Sequence, residues 1–107
     1  MRLRDIELGG DAYLGSVFFV IDRVPLMTRN AFDVAHGGAL TTYVDISTTA
    51  AIYAFDAKER TQVSAQLDMQ FFNAAKLLPE GEHPLIIEAR VQKIGKTLAF
   101  TRADLTD

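Results

Sequence analysis

The paired glycines Gly37 and Gly38 open a run, ALTTYVDISTTAAIYAF over residues 39–55, that contains neither glycine nor proline and is too long for an ordinary strand. Leu40, Val44, Ala51 and Phe55 recur in it at helical spacing, so the run predicts one long helix with a single buried stripe. Its four threonines are mediocre helix formers, so packing rather than propensity must hold it. A helix of that length in a chain of 107 residues needs an apolar sheet face to lie on, and leaves room for only one core.

The rest of the chain reads as that sheet. Residues 14–21, LGSVFFVI, are β-branched and aromatic and are bounded by Gly9-Gly10 on one side and Asp22 with Pro25 on the other, which predicts the first strand. Residues 25–35 read as irregular. In residues 63–72, Val63, Ala65, Leu67, Met69 and Phe71 alternate with Ser64, Gln66, Asp68 and Gln70, the pattern of a half-buried strand. Pro79, Gly81 and Pro84 mark a turn, after which residues 85–93 and 97–106 predict a hairpin across Ile94, Gly95 and Lys96. The expected order is β, α, β, β, β: an α+β domain in which an antiparallel sheet wraps a central helix.

Composition removes several functions. A net charge of -3 and scattered Lys and Arg argue against a nucleic-acid partner, which a basic stripe would have to hold. The absence of cysteine excludes disulfides, thiolate metal sites and a cysteine nucleophile, and suits an intracellular protein, cytoplasmic or mitochondrial. His36 and His83 are the only histidines and neither sits in a ligand cluster, so neither a metal nor another cofactor is expected. No apolar run approaches the roughly 18 residues that span a bilayer, so no membrane span is expected.

The chemistry-bearing residues concentrate on and around the helix. Asp45 is a mid-helix acid whose neighbours at three and four residues are Thr41, Thr42, Thr48 and Thr49, with no cation within a turn. Such an acid can be kept available as a base or nucleophile, or can simply be solvated on the polar face. At the helix start, His36, Gly37 and Gly38 offer backbone N–H groups and the positive dipole end to a developing negative charge, although the same residues also make a plain helix entry. His36 and Asp45 lie nine residues apart. A helix therefore turns them through about 180° and separates them by roughly 13 Å. If both act on one substrate, the site must combine Asp45 of one subunit with the helix start of another, in an antiparallel dimer. Ser64, which opens the polar face of the alternating segment, and Asn30, in the loop before His36, are secondary candidates.

Taken in order, the strings NAFDVAHGGALTTYVDISTTA, VSAQLDMQFFNAAK and QKIGKTLAFTRADLTD resemble the hotdog-fold acyl-CoA thioesterases, in their acyl-coenzyme A thioesterase 13 branch, from Asn30 to the C-terminal Asp107. The resemblance implies hydrolysis of a fatty or aryl acyl-CoA to free acid and CoA. It implies that Asp45 is the general base or nucleophile and that the Gly37 N–H polarises the thioester carbonyl. It places Asn30 beside the reacting group, Ser64 at the attacking water, and His36 with Gly38 at the thioester end of the substrate. It also implies a homodimer or homotetramer with sites across the dimer interface. The family pattern has a helix before the first strand and an interior strand after the position of Asp107, so residues 1–107 are expected to be a single hotdog domain truncated at both ends. Two other readings stand beside this one. The first is a catalytically silent module that binds acyl-CoA or a partner subunit. The second is an enoyl-thioester hydratase, whose Asp and His pair Asp33 and His36 imitate poorly.

Overall fold

The computed structural model describes residues 1–22, 36–71 and 84–106. Along the chain lie β1 (Arg2–Leu8), β2 (Gly15–Ile21), α1 (Gly37–Phe55), β3 (Leu85–Ile94) and β4 (Ala99–Thr106). The four strands form one antiparallel sheet in the order β1-β2-β3-β4. Val17, Phe19 and Ile21 of β2 and Leu85, Ile87, Ala89 and Val91 of β3 form one buried face, and Leu40 and Ala51 of α1 pack on it. Every second residue of the two central strands is thus in the core, as the pleat requires. One long helix on an antiparallel sheet agrees with the expected α+β hotdog architecture.

The helix lies where its stripe predicts, with Leu40, Val44, Ser47, Thr48 and Ala51 buried. Its four threonines cost up to about 0.7 kcal/mol each against alanine. Burial of Leu40 and Val44, at about 1.5–3 kcal/mol each, is enough to offset that. Both ends are capped: His36 Nδ1 accepts the Gly38 N–H at 3.2 Å, and the Asp56 N–H donates to the Ile52 carbonyl at 2.8 Å. Gly15 sets how closely the far end of α1 approaches the sheet, because a Cβ there would stand 2.3 Å from Phe55 Cζ and 2.6 Å from the Glu7 carbonyl oxygen.

The β3–β4 hairpin is as expected, closed by the Gly95 N–H donating to the Leu98 carbonyl at 2.7 Å. Two expectations are corrected. A strand precedes the one expected to be first: β1 pairs with β2 from Arg2 opposite Val20 to Leu8 opposite Gly15, with a bulge between Leu3 and Asp5. Conversely, residues 63–71 do not form a strand. No described strand pairs with their backbone, and the side chains expected to be buried are largely open, Val63 being 92% and Phe71 57% exposed. The alternation is genuine but has no ladder to join among the described residues. Residue 72 and the Pro79–Gly81 part of the expected turn lie outside the described residues.

Candidate active site

A cleft of about 1360 Å³ opens between α1, residues 60–71 and the β3–β4 hairpin. Leu40, Val44 and Ile52 line its helical wall, Leu67 and Met69 the segment opposite, and Leu105 the hairpin side, interspersed with as many polar and charged side chains, so the lining is mixed. Asp45 and Ser64 are two of the polar groups that line it.

Asp45 is half-buried on α1, two turns from the helix start. The hydroxyl ring expected around its carboxylate is not what holds it. Thr41 Oγ1 donates to the Gly37 carbonyl at 2.8 Å, Thr42 Oγ1 to the Gly38 carbonyl at 2.9 Å, and Thr48 Oγ1 to the Val44 carbonyl at 2.8 Å. Helix carbonyls four residues back are the nearest acceptors, and threonine uses them first. The Asp45 carboxylate instead accepts from Ser64 Oγ, nineteen residues along the chain. A hydroxyl that donates to a carboxylate keeps its own lone pairs free, so the pair presents one charged and one neutral acceptor to a water in the cleft.

The other expected residues lie apart from this pair. His36 and Gly37 belong to the start of α1 and do not line the cleft. His36 spends Nδ1 on its cap bond to Gly38, which leaves Nε2 for any other partner. Among the described residues nothing accepts the Gly37 N–H, and the Gly37 Cα side faces Phe71, whose Cζ would lie 3.4 Å from an added Cβ. The eight residues from Gly37 to Asp45 make a path of about 12 Å along an unbroken helix. Asn30 lies outside the described residues, as does His83. No group of three or more His, Asp or Glu placed to hold a metal occurs among the described residues, and no described helix is long and apolar enough to cross a membrane.

One cluster went unnoticed in the sequence. Asp56 and Arg60 stand just past α1, and Arg60 Nε and Nη2 reach the Asp56 carboxylate at 3.2 and 3.3 Å. Arg60 Nη1 also donates to the Lys96 carbonyl at 2.8 Å, and Nη2 to that of Gly95 at 3.4 Å, tying the helix end to the β3–β4 turn. The turn between them needs such a tie, since Glu59 sits at φ 50°. That left-handed conformation costs a non-glycine residue about 1–2 kcal/mol. A four-residue Asp/Arg spacing was the available signal, but it falls where the helix ends.

The Arg60 hydrogen bonds hold the Asp56 carboxyl below the ordinary carboxylate range; burial opposes them, and the N–H groups of Lys58 and Arg60 assist. A depressed native pKa means that the stabilisation is present above the unfolded value near about 3.9 and is lost as pH falls through the native one. The melting temperature should therefore drop on acidification below about pH 4, and more shallowly in Asp56→Asn. Parallel acid profiles of the two proteins would count against this account of the tie.

The comparisons with known proteins bear on the same residues. Residues 32–107 match the model of the family described as Thioesterase superfamily. The chain is 40% identical over 78 residues to acyl-coenzyme A thioesterase 13 of Homo sapiens and to that of Pongo abelii, and 35% identical to the Mus musculus protein over the same length. Each match covers 73% of this chain and 52% of the relative, so the chain spans about half the length of the curated relatives it matches. The matched stretch includes the helix start, Asp45, Ser64 and the β3–β4 hairpin, and on it the chain belongs to the thioesterase superfamily.

Proposed function

We propose that this chain is the catalytic domain of an acyl-CoA thioesterase, which hydrolyses a fatty or aryl acyl-CoA to the free acid and CoA. The observation that carries the reading is the Ser64–Asp45 pair in the wall of a large cleft, in a chain of this family. The apolar part of the lining, from Leu40, Val44, Ile52, Leu67 and Met69, suits an acyl chain. A water held by Ser64 Oγ loses its proton to the Asp45 carboxylate as its oxygen attacks the thioester carbon. The carbonyl oxygen gathers negative charge and is met by a backbone N–H at a helix N-terminus, that of Gly37. Collapse of the tetrahedral species breaks the C–S bond, and the thiolate leaves with the proton taken up by Asp45. Asn30, His36 and Gly38 serve the thioester end of the substrate.

Asp45 and Gly37 of one helix are too far apart to meet at one carbonyl, so the site takes Asp45 from one subunit and Gly37 from its partner. The active unit is accordingly a homodimer or a homotetramer of such dimers. Release of free thiol from acyl-CoA, followed with a chromogenic thiol reagent with and without a chelator, tests the reaction. The expected result is hydrolysis that is unchanged by chelation. Acyl-CoA binding with no thiol release would instead make the chain a silent binding module, and activity lost on chelation would overturn the metal-free mechanism.

A further inference from the structure

Past Glu59 the chain runs back along α1 in a fixed register. Gln62 Nε2 donates to the Thr49 carbonyl at 3.2 Å, and two residues later Ser64 Oγ donates to the Asp45 carboxylate. Two residues of extended chain advance about 6.6 Å, and four residues of helix about 6 Å. The two spacings therefore match only when residue 64 follows residue 62 against positions 45 and 49. A slip of one residue would put Val63 or Ala65 opposite Asp45, and neither has a hydroxyl to donate.

Among the described residues of one subunit, backbone pairing does not fix this register, because residues 60–71 belong to no described strand. The segment's strongest tie is at its start. Arg60 bonds the Asp56 carboxylate by two nitrogens and the carbonyls of Lys96 and Gly95 by its fork, and the Arg60 N–H donates to Asp56 as well, at 3.2 Å. Asp56 is itself the C-cap of α1, so the tie refers the segment directly to the helix that carries Asp45. A planar fork with a carboxylate on one side and carbonyls on the other allows one placement, unlike a flexible ammonium.

We propose that Arg60 is a positioning residue: by locking the first turn after α1 to Asp56 and to the β3–β4 turn, it sets the register that brings Ser64 onto Asp45. The proposal rests on the thioesterase reading for its kinetic consequence but not for its structural one. Arg60 lies at the far end of the helix from Gly37, and its effect on kcat runs through Ser64.

The test has two arms. In the kinetic arm, Arg60→Gln should lower kcat by about 10- to 100-fold and change KM by a smaller factor, because the helix and hairpin walls of the cleft remain while the water-holding group is misplaced. Added to Ser64→Ala, it should cost less than about a further twofold, since the group it positions is already gone. Arg60→Lys, which keeps a charge beside Asp56 but cannot reach the Lys96 carbonyl at the same time, is the second variant should the first not fold, and is expected to act in the same direction. In the structural arm, Asp45→Cys and Ser64→Cys are combined in this cysteine-free chain and treated with dibromobimane, which fluoresces when it joins two thiols. Rapid cross-linking with Arg60 present, slowed at least about fivefold by Arg60→Gln, is the expected result. A lower melting temperature with unchanged kcat, an additive double variant, or cross-linking indifferent to Arg60 would each overturn the proposal. Should the wild-type chain release no thiol, the thioesterase reading fails and the cross-linking arm alone decides the register.

Discussion

Asp45→Asn should reduce thioester turnover by a factor on the order of 10² to 10⁴ while changing stability by less than about 1–2 kcal/mol. The separation of the two effects follows from the surroundings of the carboxylate. Among the described residues its only hydrogen-bond donor is Ser64 Oγ, and an asparagine Oδ1 can still accept that bond, though without the assistance of the charge. No cation of the described chain pairs with it, and the hydroxyls of Thr41, Thr42 and Thr48 beside it are committed to helix carbonyls. The substitution therefore removes a negative charge and a base but little packing. Thermal melting and turnover on one preparation give the comparison. Loss of activity only in proportion to lost melting temperature would return Asp45 to a structural role. If turnover falls as expected, single-turnover hydrolysis in ¹⁸O-water separates two chemistries. Label in the Asp45 side chain marks a covalent anhydride, and label confined to the released acid marks direct attack by water.

Mixing two inactive variants should restore activity. Asp45→Ala removes the base from a subunit, and Gly37→Val crowds the helix start, where Phe71 already stands within contact distance of an added Cβ. In a hybrid dimer one site receives both lesions and the other receives neither. With random exchange half the dimers are hybrids, so the mixture should recover about a quarter of wild-type activity. The experiment requires proof of subunit exchange, for instance by mass-tagged copies. A mixture as inactive as its parents despite proven exchange would refute the shared site.

The relative placement of the helical candidates was legible in the sequence because they lie on one helix. Asp45, His36 and Gly37 occupy positions whose relative direction follows from 3.6 residues per turn, and α1 runs unbroken through all of them after the His36 cap. The partner of Asp45 was legible only in part. Ser64 was a candidate, but the hydroxyls that seemed to serve Asp45 were those of its helical neighbours. Which hydroxyl donates depended on competition with the carbonyls of Gly37, Gly38 and Val44, and on how the chain returns after Glu59.

Strands divide differently between sequence and structure. The sequence by itself determined α1, the apolar runs of β2 and β3 and the turn at Gly95, because each rests on a local period or a local breaker. Only the tertiary structure decided β1 and residues 63–71. In β1, Leu3, Ile6 and Leu8 do not alternate in sequence, yet all three pair with Phe19, Val17 and Gly15, positions of one face of β2. The bulge between Leu3 and Asp5 shifts the pleat by one residue and reconciles them. Residues 63–71 alternate without fault and still make no strand, since a strand exists only when a second backbone takes up its hydrogen bonds. A side-chain period is carried by consecutive residues, whereas pairing joins residues far apart in the chain, so it is settled only when the fold brings them together.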